Sequence, residues 1–211
     1  MTASKKSLSK RSFCDNPAVL ICLCLAACFF STPLNGLSPS LSLVATDMGF
    51  NEQERDIYLG GYVGIATMLG QMLGSCVSGF ITDMYSRTGL IVTTLIVDSI
   101  ATGLFGFTFV TFPVILGLRV VVGGCQGVAV PIIFSLIGDY YSAENRPTAS
   151  AIISSFLGGG MMIGQLFVGY CLPYMGWRQP FLLLAIASMC AAVTIFRFLV
   201  DPVKGGNETD L

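Results

Sequence analysis

The chain has 211 residues, 54% of them apolar and only 11% charged, with a net charge of −1 and a mean hydropathy of +0.77. Soluble domains carry roughly 25% charge, so this composition excludes an ordinary soluble fold and points to a polytopic membrane protein. No basic stripe is present, and nucleic acid is not an expected partner.

Six apolar runs follow one another, at about 17–46, 56–82, 89–109, 113–141, 147–173 and 178–200. Each is long enough for the ~20 residues a helix needs to cross the hydrocarbon core. Pro17 and Pro147 fall where a first helical turn tolerates proline. Pro33 and Pro39 should bend the first helix rather than end it. Asp47 to Asp56 is a polar break, and Phe112-Pro113 marks a short turn. Tyr174-Met-Gly-Trp177-Arg178 is an interfacial break, with aromatics suited to a headgroup belt. The organisation expected is an arm (1–16), a six-helix transmembrane domain (17–200) and a polar tail (201–211).

Lysine and arginine set the direction. Lys5, Lys6, Lys10 and Arg11 lie in the arm, and an inward-facing arm also puts Arg87, Arg146, Arg197 and Lys204 inside. Only Arg55 and Arg178 remain outside, so both termini are expected in the cytoplasm. Asp47, Glu52, Glu54 and Asp56 then face outward. A cleaved signal sequence over 1–32 is the alternative, but the apolar run is too long for one. The sequon at Asn207 would be cytoplasmic and unused.

Between the second and third runs stands Gly79-Phe-Ile-Thr-Asp83-Met-Tyr-Ser-Arg87-Thr-Gly-Leu. Asp83 and Arg87 are four apart and share a face on a continuing helical turn. The fourth run holds Arg119-Val-Val-Val-Gly123-Gly124-Cys-Gln126-Gly127, then Pro131, Asp139, Tyr140, Glu144 and Arg146. The fifth holds Gly158-Gly-Gly160-Met-Met-Ile-Gly164-Gln165, and the sixth opens on Gly176-Trp-Arg-Gln-Pro-Phe181.

These four stretches, in this order, resemble the major facilitator superfamily. Its second loop reads Gly-x-Leu-Ala-Asp-Arg-x-Gly-Arg-Lys, matched here at Gly79, Asp83 and Arg87. Met84, Ser86 and Thr88 depart from that pattern. Its fourth helix carries Arg-x-x-x-Gly-x-x-x-Gly. The fifth run is similar to the antiporter motif Gly-x-x-x-Gly-Pro-x-x-Gly-Gly, with Gln165 and Val168 as departures that weaken antiport. Within the family the fourth run is most similar to that of spinster-type lipid carriers, with Gln126 where their glutamate stands and no matching acid in the first run.

The resemblance implies an all-α integral membrane fold, the N-terminal six-helix half of a 3+3 inverted repeat. It implies transport of a small organic solute by alternating access. It also implies a cytoplasmic latch, in which Asp83 meets a helix N-terminus of the second half and Arg87, Asp139, Glu144 and Arg146 complete a charge network. The structural alternative for these residues is solvated loop charge.

Two charges fall inside the membrane, where exposure to lipid is expensive. Asp98 lies roughly 13 Å from the inner end of its helix and Arg119 roughly 9 Å from the outer end of its own. Their depths could differ by roughly 8 Å, so a direct pair is open. Arg119 is the candidate cavity residue, with Asp98 as its partner or a proton site. A static buried pair is the alternative. Asn35, Gln71, Gln126 and Gln165 are polar within spans, and each could contact solute or a neighbouring helix. Gly60/Gly64, Gly70/Gly74, Gly123/Gly127 and Gly160/Gly164 have the four-residue spacing of close helix contacts.

Seven of the eight cysteines lie in or beside apolar runs, without a CxxC pair, and the chain has no histidine. They read as small packing residues rather than metal or redox ligands. No phosphate loop, catalytic triad or metal motif is evident, so neither enzymatic activity nor a cofactor is expected. Carriers of this family have twelve spans with the solute held between halves. The chain is therefore a piece of a longer protein, a half that pairs with itself or another half, or a truncated, non-transporting scaffold or regulator. Partners expected are a solute, a coupled proton, the bilayer and a second half.

Overall fold

The structure is a computed structural model that describes residues 17–107 and 111–199. The arm, the tail, Lys204 and Asn207 lie outside the described residues. Those described are helical, without a strand. That follows from the solvent, since a helix satisfies its own backbone groups within hydrocarbon.

The helices are α1 (Pro17–Asn35), α2 (Leu41–Met48), α3 (Glu52–Glu54), α4 (Val63–Met84), α5 (Arg87–Leu104), α6 (Phe112–Tyr140), α7 (Arg146–Met175) and α8 (Gln179–Phe198). A 3₁₀ turn, Ser38–Ser40, joins α1 to α2, and a π-helix, Arg55–Tyr62, joins α3 to α4. Together they make six segments long and apolar enough to cross a membrane: Pro17–Met48, Glu52–Met84, Arg87–Leu104, Phe112–Tyr140, Arg146–Met175 and Gln179–Phe198.

The expected spans are all present, with ends moved by a few residues. The first one differs inside. Pro33 is accommodated within α1, but α1 stops at Asn35 and Pro39 falls in the 3₁₀ turn. Pro39 has no N–H, and its ring would clash with the carbonyl four residues back, that of Asn35. The helix is thus broken rather than bent. The outer break is built by two local devices. Gly49 takes a left-handed conformation at φ 74° to end α2. Asn51 and Glu54 then form a reciprocal capping box that starts α3.

Glycine sets the helix pairing. A side chain on Gly70 or Gly74 would strike the backbone of Val120 or Gly124 on α6, and one on Gly123 or Gly127 would strike Thr67 or Gln71 on α4. Ser75 Oγ donates to the Gly127 carbonyl at 3.1 Å across this contact. Gly160 and Gly164 of α7 sit likewise against Cys28, Ser31 and Thr32 of α1. Gly60 and Gly64 are a correction: nothing lies within 4 Å of either. Gly60 falls in the π-helix, whose wider register breaks the four-residue stripe, and it faces outward.

Two apolar clusters fill the interior. One gathers Leu23, Phe30, Ile91, Leu95, Ile133 and Ile195. The other gathers Leu37, Leu59, Phe105, Ile115, Trp177 and Phe181. Along α1, α5 and α6 the first cluster gives way to the second at residues 31–36, 96–104 and 116–124 respectively.

Candidate functional site

Most of the buried polar side chains among the described residues fall in or beside the zone between the clusters, with Ser40, Ser78 and Thr88 elsewhere. Ser31 and Thr32 from α1, Asp98, Ser99 and Thr102 from α5, Arg119 and Gln126 from α6, and Ser188 from α8 are all buried. Helical spacing explains the set. Asp98 and Thr102 are one turn apart on α5, and Arg119 and Gln126 two turns apart on α6, so each pair points the same way.

The hydroxyls Ser31, Thr32 and Ser99 bond back to carbonyls of their own helices. The others are not so settled. Asp98 is 0% exposed, and neither carboxylate oxygen has a hydrogen-bond partner. Thr102 Oγ1 and Gln126 Oε1 are also unpartnered. Arg119 is 2% exposed. Its Nη1 donates to the carbonyls of Pro33 at 3.1 Å and Leu34 at 2.9 Å. These acceptors are free because α1 ends there, leaving its last carbonyls without a backbone N–H four residues on. The guanidinium carbon stands 5.0 Å from the Phe105 ring centroid, a cation–π distance. Nε and Nη2 bond to nothing.

Asp98 and Arg119 interact through space, yet no ion pair within 4.0 Å joins them among the described residues. The direct pair is not formed. The α1 carbonyls and Phe105 hold the guanidinium instead, two partners the sequence did not suggest. Asn35 is half-buried beside the same break, Gln71 is half-buried on α4, and Gln165 is exposed on α7.

The charged loop differs from expectation. Tyr85 and Ser86 are extended, so the helix does not continue from Asp83 to Arg87 and the two share no face. Ser86 caps α5 through the Gly89 N–H. Arg87 pairs with Asp139 at the end of α6, largely out of water. Arg146 donates to the carbonyls of Tyr141 at 3.0 Å and Gly138 at 2.7 Å, closing the α6 terminus. Asp83 and Glu144 are exposed, and Gly79 has open space around it. The structure thus brings together Arg87 and Asp139, sets Arg146 on the same terminus and leaves Asp83 and Glu144 at the surface.

A second polar clasp lies at the opposite end. Arg178 Nη2 donates to Asp47 Oδ2 at 2.6 Å, and Trp177 Nε1 to the same oxygen at 3.3 Å. Arg178 stacks over the Trp177 ring at 4.6 Å. Trp177 is buried rather than set in a lipid-facing belt, whereas Tyr174 is exposed. Sequence reasoning missed this clasp, although Asp47 and Arg178 were both placed on the outer side with opposite charge. No cluster of three or more metal-ligating side chains occurs among the described residues.

The profile of the Major Facilitator Superfamily matches residues 19–210. A niacin transporter of Acinetobacter baylyi is 27% identical over 135 residues, 64% of this chain and 30% of that one. The ZINC INDUCED FACILITATOR 1 protein of Arabidopsis thaliana is 29% identical over 141 residues, 66% of this chain and 29% of its own. A cis,cis-muconate transport protein of Acinetobacter baylyi is 25% identical over 173 residues, 79% of this chain and 38% of that one. Among solved structures, an inward-facing, occupied bacterial homologue of the human lysosomal transporter spinster superposes with a TM-score of 0.77 at 19% identity. That match covers 91% of this chain and 46% of the homologue. A D-xylose-proton symporter gives 0.68 at 16% identity, over 89% of this chain and 48% of that one. The chain thus spans less than half the length of each of these proteins.

Proposed function

This chain belongs to the major facilitator superfamily, and we propose that it serves as one six-helix half of a secondary carrier that moves a small organic solute by alternating access. The observation that carries this reading is Arg119. A guanidinium deep in a membrane bundle, anchored on one nitrogen and unpaired on two, is expensive to keep for packing alone. Relatives named for niacin and cis,cis-muconate transport support movement of small organic molecules. Asp98 supplies further unpaired polar atoms nearby and Gln126 another two turns along α6, and Asn35 lies beside the break that anchors Arg119. Asp98 is also the group at this depth able to take up a coupled proton.

The loop charges take the cytoplasmic side in this reading, with both termini inside. Arg87 and Asp139 tie α5 to α6, and exposed Asp83 remains available to a helix N-terminus of a second half. That half is either a further stretch of the same protein or another copy.

Uptake by membranes carrying the complete protein tests the proposal. Arg119→Ala and Asp98→Asn should each depress solute flux severely while insertion into the membrane persists. Unchanged flux in both variants would remove the cavity assignment. Absence of substrate-dependent flux in any oligomeric form would favour a non-transporting scaffold or regulator.

A further inference from the structure

Arginine binds a carboxylate best through two parallel N–H bonds from one edge. The edge formed by Nε and Nη2 provides such a fork, because those N–H groups point the same way. In Arg119 this is the edge without partners, while Nη1 is spent on the carbonyls of Pro33 and Leu34. The guanidinium carbon also lies over the Phe105 ring, 5.0 Å from its centroid. The side chain is therefore held by three protein groups, none of which bonds to its two-pronged edge, and that edge is buried.

Something must satisfy that edge, since a buried unpaired donor is costly. The protein has a candidate in Asp98, whose two oxygens are also unpaired, but it makes no contact with the fork. Lysine would supply charge without the planar pair of donors. The residue type, the anchored nitrogen and the stacked ring together fit recognition of a planar anion rather than of a neutral polyol.

We propose that the transported solute is an organic carboxylate, bound by its carboxyl group to Nε and Nη2 of Arg119, with Asp98 as the internal competitor for the same edge. Resting on the carrier reading above, it names the chemical class of the solute. Asp98 and the solute carboxylate exclude one another at the fork, so bound solute keeps Asp98 off it. A group four residues from Asp98, Thr102 Oγ1, is unpartnered and buried and stands on the face that would receive the displaced carboxylate.

Equilibrium binding to the full chain in detergent, with no gradient, tests the inference apart from transport. The probes are benzoate and nicotinate, their uncharged counterparts benzamide and nicotinamide, and xylose as a neutral polyol. Saturable binding is read from the emission of Trp177, the chain's single tryptophan, and from thermal unfolding.

The acids should bind at least roughly tenfold more tightly than the amides, with xylose silent. Arg119→Lys, which keeps the charge, should weaken the acids by roughly 10–100-fold and erase the preference. Asp98→Asn should tighten them. If Arg119→Lys does not fold, Phe105→Leu takes its place and should also reduce the preference. Equal binding of acid and amide, a preference that survives these variants, or no binding of either acid would overturn the inference. Acid binding without flux in membranes would instead count against the carrier reading and leave the assignment of the fork intact.

Discussion

The contact between α4 and α6 makes the sharpest prediction about this fold. Replacing Gly127 by alanine places a Cβ 2.9 Å from the carbonyl carbon and 3.0 Å from the Cα of Gln71, with the carbonyl oxygen nearer still. Ordinary van der Waals contact begins at 3.4 Å, so the oxygen forces the helices to part by roughly an ångström. Because the obstacle is backbone, no rotamer change relieves it. A gap of that size forfeits about half of each affected dispersion well, and overpacking of this kind costs about 1–3 kcal/mol. The Ser75–Gly127 bond stretches with it. The control is Gly117→Ala on the same helix, where nothing lies within 4 Å and the better helix former gains up to about 1 kcal/mol. That gain is common to both substitutions, so the two variants should differ by about 1–3 kcal/mol, although the substitution is chemically identical. Equilibrium unfolding in mixed detergent micelles measures the difference. Equal stability of the two variants would refute the close-packed interface.

Other substitutions probe the polar contacts. A double-mutant cycle over Arg87→Gln and Asp139→Asn should return a coupling of about 1–2 kcal/mol, because the pair is mostly shielded from water. Asp83→Asn should change stability by less than about 0.5 kcal/mol, and a coupling of Asp83 with Arg87 as large as that of Asp139 would show the extended loop to be wrong. Asp47→Ala should raise acrylamide quenching of Trp177 fluorescence by freeing the indole and Arg178; Asp56→Ala, whose partner is the adjacent Arg55, should not. Gly60→Ala should be tolerated in unfolding assays, in contrast to Gly164→Ala, whose Cβ would meet the Thr32 backbone.

What was legible in the sequence was governed by one-dimensional rules. Span number and approximate ends follow from hydropathy, because hydrocarbon forces each crossing to be a continuous helix or a closed barrel. Three of four glycine pairs were read correctly, because the four-residue period is a property of the helix. Gly60/Gly64 failed where that period failed, in a π-helix announced by no residue pattern. Asp83 and Arg87 misled for a related reason. Their spacing has meaning only on an uninterrupted turn, and Ser86 ends that turn by capping the next helix. The partners of Arg119 were invisible for another reason. Two are backbone carbonyls exposed by a helix break, and the third is a phenylalanine indistinguishable by type from others in the chain.

The break in α1 and the position of Arg119 explain each other. A guanidinium at this depth needs acceptors, and carbonyls past a helix end, which have no backbone partner, have more to gain from it than those inside an intact helix. Interrupting α1 after Asn35 releases carbonyls at the level of Arg119, so Pro39 prepares a site for a side chain on another helix. Only part of the guanidinium is accommodated this way. Had the arrangement evolved for packing alone, Asp98 in the same layer would be the obvious counter-ion, and a closed pair would spare four unpaired atoms, namely both Asp98 oxygens and Arg119 Nε and Nη2. That they stay apart while both are sealed between apolar clusters is the feature a static scaffold does not require. In the carrier reading, a group that must exchange one anion for another has to be held by contacts that survive the exchange, and the carbonyls of Pro33 and Leu34 and the Phe105 ring are such contacts.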